Sequence, residues 1–310
     1  MITYLARRAV MSLVTLWVII TLTFVLMHAV PGDPFTSDAR VSPQAMANLR
    51  AYYGLDQPLV VQYARYLGRL VRLDLGRSIK SEVRDINRMI ADGLPVSALL
   101  GLEALLLAVT AGVALGIVAA LGHDRGLDYL SMGVAIIGIS VPSFILATLL
   151  IHLLAVKLEV LPVGTWGTWR HTVMPALALA LAPLAYVARL VRSSMLDELS
   201  QDYVKAALAR GLPRSRVILG HALRNALLPV ATVLGPLTAG VLTGSFVIEN
   251  IFAIPGIGKL FVLSISDRDY PLILSGAVVY SVLLLAMNLL VDLTYGILDP
   301  RIRIAGRRLR

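Results

Sequence analysis

The sequence of 310 residues contains no cysteine and few charged residues. Without cysteine the chain forms neither a disulfide nor a thiolate metal site. Cysteine usage therefore does not indicate whether its compartment is oxidising or reducing. Only 15% of the residues are charged and 57% are apolar, whereas about 25% of a soluble protein is charged. The formal charge of +9 is confined to gaps between long apolar runs. This distribution is typical of a membrane protein with basic loops, and we expect no nucleic-acid partner.

Patterns of catalytic, metal and nucleotide sites are also missing from the sequence. No cluster of His, Asp or Glu has metal-ligand spacing, and no Ser/His/Asp arrangement suggests a nucleophile. The glycine-rich stretch at residues 255–259 lacks the spacing of a phosphate loop. We therefore predict that the chain is not an enzyme and holds no metal and no cofactor.

Long apolar segments are what the sequence has in abundance. Six of them can cross the ~30 Å of membrane hydrocarbon, which predicts an all-α, polytopic membrane protein with six transmembrane helices. The first runs past the length of a signal peptide without a cleavage pattern, so we expect it to remain as a spanning helix. The predicted spans are Ala9–Val30, Ser97–Leu121, Leu130–Val156, Thr172–Ala188, Leu227–Ile248 and Pro271–Gly296.

Three of these spans carry local features. Gly112 and Gly116 in the second span have the spacing that lets helices pack closely. The third span is interrupted by Ser140-Val141-Pro142-Ser143, where proline removes a backbone donor. We expect the fourth helix to continue beyond the membrane through Arg189 and Arg192.

The polar gaps divide the chain into regions. They are residues 1–30 (N-terminus and first span), 31–96 (a polar insert), 97–296 (the other five spans, including a polar loop at 200–229) and 297–310 (a basic tail). In the insert, which is rich in arginine, apolar positions recur at helical spacing between Leu59 and Leu73. An amphipathic helix there would lie on the membrane or pack on a partner, and a self-contained surface cap is the alternative.

The distribution of Lys and Arg predicts the orientation. With the N-terminus inside, most of these residues fall in inside segments, and the two short outside loops hold only Lys157, Arg170, Lys259 and Arg268. The insert exceeds the length for which this rule is reliable. We therefore expect both termini and the 200–229 loop to be cytoplasmic and the insert to be extracytoplasmic.

The 200–229 loop has the features of two short helices joined by a turn. Ser200 can accept from the first free amides of a helix over Gln201–Arg210, and Asp202 suits the positive end of its dipole. Gly211 can take the left-handed conformation that ends a helix, and Pro213 can begin the next one. Alanines before the glycine would let another surface approach. These features favour a docking element over an ordinary basic loop.

The loop contains two adjacent alanines, a glycine and a later Leu-Pro pair, at Ala206, Ala207, Gly211, Leu228 and Pro229. This pattern resembles the EAA loop of permease subunits of ABC importers. Lys205 replaces its glutamate, and the gap to Leu-Pro is longer, as in the dipeptide/oligopeptide/nickel branch. The residues that match the branch are Asp202-Tyr203, Ala207, Ala209, Gly211-Leu212, His221-Ala222 and Arg224-Asn225-Ala226.

Other parts of the chain also resemble this branch. Near the N-terminus the matching residues are Tyr4, Arg7-Arg8 and Pro31-Gly32-Asp33-Pro34. Later the pattern Glu-x-x-Phe-x-x-Pro-Gly-x-Gly is matched by Glu249, Phe252, Pro255, Gly256 and Gly258, and Asp269-Tyr270-Pro271 follows it. We expect the segment that carries Glu249, Pro255, Gly256 and Gly258 to form a gate or turn at the outer end of the fifth span, buried against protein.

The resemblance covers residues 4–303 and implies a type I ABC importer permease fold in the bacterial inner membrane. Such a subunit forms half of the pathway for peptides, glutathione, sugars or nickel chelates, among which the sequence does not choose. The implied partners are a second homologous permease, two cytosolic ATPase subunits or domains that bind ATP and Mg²⁺, an extracytoplasmic binding protein that the insert faces, and membrane lipid.

Two sets of residues receive roles. The resemblance implies contact with the ATPase for Asp202, Tyr203, Ala206, Ala207, Gly211, Arg224 and Asn225. We expect the pathway to be lined by Ser140, Ser143, Thr238, Thr243 and Ser245, because lipid-facing positions disfavour polar side chains. Serine and threonine also bond helices to each other, which is the alternative role for this second set.

Two other classes of function remain open at this point. An ion-coupled secondary transporter would use acidic residues within the membrane, such as Glu103 and Asp292, but we find no inverted repeat. Glu249 and Asp292 lie near span ends, where water can reach them, which favours structural roles; Glu103 stays unassigned. A membrane scaffold that recruits a soluble partner through the 200–229 loop is the third class.

Overall fold

The computed structural model describes residues 2–29, 43–80, 85–242 and 245–298. Within these ranges the chain is mostly helical, and its one β-type contact is an isolated bridge between Arg77 and Asp85. The predicted all-α class is confirmed. The expected site residue Thr243, the motif Pro31–Pro34 and the tail beyond residue 298 lie outside the described residues, as does the side chain of Asp292.

Among the described residues, five helices are long and apolar enough to cross a membrane, and one bent pair brings the number to six if it is a single span. The long helices are α1 (Ile2–Ala29), α4 (Ile86–Leu121), α7 (Trp169–Leu199), α11 (Leu228–Leu242) followed by α12 (Phe246–Ile251), and α14 (Tyr270–Leu298). The shorter helices are α2 (Pro43–Tyr53), α3 (Leu59–Val71), α8 (Asp202–Ala209), α9 (Arg214–Val217), α10 (Leu223–Ala226) and α13 (Ile257–Ser266).

The bent pair is the predicted third span. Its first half is α5 (Gly126–Ser140) and its second half is α6 (Ser143–Leu150), which continues as a π-helix over Ile151–Lys157. The two halves meet at an angle of 105°. Pro142 lies at the bend, where it has no N–H to continue the helical ladder. The break that the sequence predicts is therefore confirmed.

Two helix boundaries differ from the sequence prediction. The second spanning helix begins at Ile86 rather than Ser97, so its first three turns belong to residues predicted as polar insert. The fourth extends over Trp169–Leu199 and contains Pro175 and Pro183. Both helices extend past their apolar cores, because helix propensity continues where the hydropathy pattern stops. The predicted continuation through Arg189 and Arg192 is confirmed.

The chain divides into two compact units, each described here by itself. The first contains Met1–Pro95 and Gly256–Leu283. Among its buried polar residues is Asp269, which accepts hydrogen bonds from the Ser78 hydroxyl and from the backbone N–H of Ile79. Ser275 donates to the Leu75 carbonyl at 3.2 Å. The start of α14 is thereby joined to the loop that follows α3, a pairing 190 residues apart that no local pattern reveals.

The second unit contains Val96–Pro255 and Leu284–Arg310. Its helices pack at very short range through small residues. A Cβ atom at Gly112 would lie 2.8 Å from the carbonyl oxygen of Leu184, and one at Gly116 would lie 2.6 Å from that of Ala188. Buried alanines continue this contact along α4 and α7. The predicted close packing at Gly112 and Gly116 is confirmed, and it fixes α7, which leads into the 200–229 loop.

Candidate functional site

The 200–229 loop begins directly where α7 ends. Ser200 is the C-terminal cap residue of α7, and its hydroxyl donates to the Asp197 carbonyl at 2.8 Å. The predicted N-terminal cap at Ser200 is therefore wrong, because α7 extends to Leu199 and uses Ser200 itself. Gln201 takes the capping position of α8 without a side-chain hydrogen bond. Consequently α8 is shorter than predicted, Asp202–Ala209 rather than Gln201–Arg210.

Apolar residues on the inner side hold this loop in place. Val204 of α8 is 3% exposed, and Val217, Ala222 and Ala226 are buried in the segment that follows. Between α9 and α10 the chain forms a π-helix over Ile218–Ala222. The extra residue in such a turn shifts the helical register, which keeps the buried side chains on one side. The loop is therefore a packed helical element rather than a mobile basic loop.

Three polar side chains join α7, α8 and α10. The Tyr203 hydroxyl donates to Glu198 Oε2, and Asn225 Nδ2 donates to the same oxygen at 3.2 Å and to Tyr203 Oη at 3.3 Å. Partial burial and the hydrogen bond to Glu198 raise the pKa of the Tyr203 phenol. Sequence analysis found Tyr203 and Asn225 but missed Glu198, since the carboxylate lies in α7, before the matched motif begins.

The other residues with a predicted coupling role lie on the outer side of the loop. Asp202, Ala206 and Arg224 are exposed, and Ala207 is half-buried. Asp202 forms an exposed ion pair with Lys205, with 3.0 Å between Oδ1 and Nζ. Gly211 has φ of +80° and open space where a Cβ atom would point. The structure thus leaves these residues on the outer side of the loop, with small side chains exposed on α8.

In the 249–258 segment the acidic residue is enclosed. Glu249 is 0% exposed and accepts a hydrogen bond of 2.7 Å from the Ser97 hydroxyl. The expectation that water reaches Glu249 at a span end is wrong, because Ile248 and Phe252 of the same turn are themselves fully buried around it. Its hydrogen-bonded burial supports the structural role that the sequence analysis favoured.

The glycine-rich end of this segment separates α12 from α13. Gly256 precedes α13 in extended conformation, and both Gly256 and Gly258 are buried, whereas Pro255 is exposed. A further close approach involves Gly164, which sequence analysis did not single out. The next residue, Thr165, donates its N–H to the Phe252 carbonyl at 2.6 Å, and a Cβ atom at Gly164 would lie 2.8 Å from that oxygen.

The residues expected to line the pathway occupy three places in the chain. Ser140 and Ser143 flank the bend between α5 and α6, and Thr238 is half-buried in α11. Ser245 caps α12, since its hydroxyl accepts from the Ile248 N–H at 3.5 Å. This cap gives Ser245 a structural role that the sequence analysis did not consider.

A charged cluster that the sequence analysis missed lies where α5 meets α7. His123, Asp124 and Asp128 each place one possible ligand atom within 4.8 Å of the others. Arg192, however, donates to both oxygens of Asp128 at 2.6 Å. A guanidinium in that position satisfies the carboxylate, so the arrangement fits an ion pair better than a metal site. The paired residues are 64 positions apart in sequence.

Comparison with known proteins gives the family. Residues 1–91 match the family described as Binding-prot-dependent transport system membrane comp, N-term. Residues 112–304 match the Binding-protein-dependent transport system inner membrane component family. The chain belongs to this family. As an inner membrane component it is a transmembrane permease subunit of an ABC importer, and membership is consistent with a protein that is not itself an enzyme.

Curated relatives of this inner membrane component match over nearly its whole length. The dipeptide transport system permease protein DppB of Bacillus subtilis is 52% identical over 301 residues, which cover 97% of this chain and 98% of the relative. The oligopeptide transport system permease protein OppB of Escherichia coli K12 is 42% identical over 305 residues, covering 98% and 100%. DppB of Lactococcus lactis is also 42% identical.

A solved structure shares the fold of this inner membrane component. It is described as the crystal structure of an amino acid ABC transporter with histidines, and it superposes with a TM-score of 0.51. The match covers 67% of this chain and 93% of that one, with 18% sequence identity. At this identity the likeness supports the permease fold and says nothing about the substrate.

Proposed function

We propose that this permease subunit imports di- or oligopeptides across the bacterial inner membrane. The support is the pair of relatives named for dipeptide and oligopeptide transport, which match at 52% and 42% identity over almost the full chain. Glutathione, sugars and nickel chelates are the other solutes that the sequence left open. Specificity is expected to reside largely in an extracytoplasmic binding protein.

The 200–229 loop is proposed to pass the displacement that accompanies ATP hydrolysis from cytosolic ATPase subunits to the spans. The observation that carries this proposal is its division into a buried inner side and an exposed outer side with small residues. Val204 fixes the loop, while Asp202, Ala206 and Arg224 remain on the surface for a partner. A helix that is packed on α7 and α10 can pass a displacement to the spans, since packed elements move as units.

We propose the remaining partners because membership of this family implies them, and the number of spans agrees with it. Five or six spans are few for an aqueous pathway, so we propose a heterodimer with a second homologous permease and a pathway at their interface. Two ATPase subunits or domains would bind ATP and Mg²⁺. The charge distribution favours cytoplasmic termini, and we propose that the insert lies outside, toward the binding protein.

The test is uptake of labelled peptides into proteoliposomes that contain both permeases and the ATPase subunits. We expect uptake only with the binding protein on the entry side and ATP on the other side. Uptake driven by a proton gradient without ATP would instead support the secondary transporter. Competition by unlabelled peptides, glutathione, sugars and nickel chelates distinguishes the substrate classes, and competition only by one of the last three would overturn the peptide assignment.

A further inference from the structure

The short helix α3 has three distinct faces. One face is polar and aromatic and points toward α1; it consists of Gln62, Tyr63 and Tyr66. A second face is apolar and exposed; it consists of Val60, Ala64 and Val71. The third is basic and exposed; it consists of Arg65, Arg69 and the C-cap residue Arg72. At 100° per residue the centres of the faces are separated by about 120°. An exposed apolar face beside a basic one is typical of helices in a membrane interface.

Contacts with α1 fix the level of α3. The Tyr63 and Thr21 hydroxyls are 2.6 Å apart, and Gln62 Oε1 lies 3.2 Å from His28 Nε2. Phe24, between these two levels of α1, has its ring centroid 5.2 Å from that of Tyr63. Gln62 and Tyr63, which are adjacent in α3, therefore contact residues of α1 that lie two helical turns apart. This geometry means that α3 crosses α1 near Phe24 instead of running beside it.

The crossing point lies within the apolar part of α1. The apolar helix extends over Ala6–Ala29, with Arg7 and Arg8 at its start. Thr21 precedes Ala29 by eight residues, or about 12 Å at 1.5 Å per residue. Phe24 is about 7 Å from that end on the same measure. A membrane that covers α1 therefore also covers one side of α3.

The exposed apolar surface of α1 continues at the same level. Leu22, Val25 and Leu26 are 56%, 55% and 62% exposed, while Val60 and Val71 of α3 are 79% and 85% exposed. A spanning helix presents such residues to lipid. Valines this exposed would be unfavourable in water, at about 25 cal/mol for each Å² of apolar surface.

We propose that α3 is embedded in the lipid leaflet at the C-terminal end of α1, with its apolar face in the acyl chains and its arginines at the lipid phosphates. In the orientation proposed above, this is the outer leaflet. An interfacial helix of this kind is buried about 5–10 Å into the boundary of headgroups and acyl chains, which agrees with the level of Phe24. The occupant of the exposed face is thus lipid.

Two of the arginines are held in place by the protein. Arg65 Nη2 donates to Gln57 Oε1 at 3.0 Å, and Arg69 Nε lies 3.2 Å from Asp74 Oδ2. The Arg65 guanidinium lies where a Cβ atom on Gly54 would be, and the Arg69 guanidinium lies where a Cβ atom on Gly76 would be. Both glycines have positive φ. Held close to α3, both groups lie at the level where phosphates accept charge-assisted hydrogen bonds.

Site-directed spin labelling tests this inference, since the chain has no native cysteine. Single cysteines replace Val60, Ala64 and Val71 on one face and Arg65, Arg69 and Arg72 on the other. Leu22→Cys on α1 is the lipid reference and Asn48→Cys on α2, an exposed position, is the water reference. The complex is reconstituted in vesicles of phosphatidylethanolamine and phosphatidylglycerol. Collision with oxygen is compared with collision with a neutral, water-soluble nickel chelate.

We expect the logarithm of the oxygen-to-chelate ratio to be positive at residues 60, 64 and 71, as at Leu22. This logarithm should be smaller at residues 65, 69 and 72 than at residues 60, 64 and 71, and it should be negative at Asn48. Addition of the binding protein should leave these values unchanged. A negative value at 60, 64 and 71 would overturn the proposal. Protection of these three positions from both agents would also overturn it, because a protein partner would then cover the face.

Discussion

In the 200–229 loop most of the matched residues lie on the surface, whereas in the 249–258 segment most of them are buried. Asp202, Ala206 and Arg224 are exposed, and the loop is anchored by the buried Val204, which the motif does not specify. In the other segment, Glu249 and Phe252 are fully enclosed. A similar strength of sequence match therefore accompanies two different physical situations.

The two regions differ in whether a matched residue stabilises this chain or contacts whatever docks against it. A buried residue such as Glu249 contributes to the stability of this chain, through its hydrogen bond with Ser97. An exposed small residue such as Ala206 contributes little to that stability, and its effect depends on what docks against it. Variants in the two regions should accordingly separate activity from stability.

The largest effect is expected for Gly211→Val. A β-branched residue is strongly disfavoured at φ of +80°, although the space beyond Gly211 is open. The turn after α8 would change its path, and we expect transport to be lost while the subunit still inserts. Gly220→Val is the matched control, because its Cβ would also meet open space but at ordinary φ.

Peptide uptake and ATP hydrolysis in proteoliposomes measure this effect. Gly211→Asn should retain most of the transport, since asparagine tolerates the left-handed conformation. Equal transport by Gly211→Val and the Gly220→Val control would contradict a coupling role for the turn.

A smaller effect, on stability rather than coupling, is expected for Glu249→Ala. The Ser97 hydroxyl loses its acceptor in a buried place, which costs about 1–3 kcal/mol. The melting temperature of the purified complex should fall, while the ratio of peptides transported to ATP hydrolysed should stay constant. Asn250→Ala, at the exposed neighbouring position, serves as the control, and a melting temperature equal to that of the control would show that the buried bond is unimportant.

The smallest effect is expected for Tyr203→Phe, because this residue is neither fully exposed like Ala206 nor fully buried like Glu249. Its hydroxyl joins Glu198 and Asn225 but is partly exposed, so its removal should cost only about 1 kcal/mol. Asn225 still reaches Glu198 at 3.2 Å. Coupling should weaken without being lost, as measured by uptake per ATP. Full uncoupling, as severe as in Gly211→Val, would indicate that Tyr203 contacts the ATPase directly.

Much of this architecture follows from local sequence, and the parts that do not are the long-range contacts. Apolar runs, Pro142 and Gly211 act through the backbone within a few residues, so their consequences were predictable. The spacing of Gly112 and Gly116 predicted a close helix contact but did not identify α7 as the partner. Contacts such as that of Ser97 with Glu249 join residues 152 positions apart. Polar residues in apolar helices signal that a partner exists, but they do not identify it.

Helix ends were the other source of error. Ser200 has a side chain suited to begin α8, yet it ends α7 instead, because one residue cannot cap both helices when they are this close. Ser245, expected to line the pathway, also caps α12, and its place in the pathway stays a prediction. A short hydroxyl side chain is compatible with each of these roles, and only the neighbouring backbone decides between them.

The bend between α5 and α6 has a consequence for hydration. At 105° the carbonyl end of one half-helix meets the amide end of another, and Pro142, at the capping position of α6, provides no side-chain hydrogen bond. Helix ends carry backbone dipoles that hydrocarbon cannot solvate. Backbone groups at this bend that the chain itself does not pair need water, a solute or a neighbouring subunit as partner. If the bend lines the proposed pathway, a peptide, which carries amides and carbonyls of its own, has the chemistry to take that part.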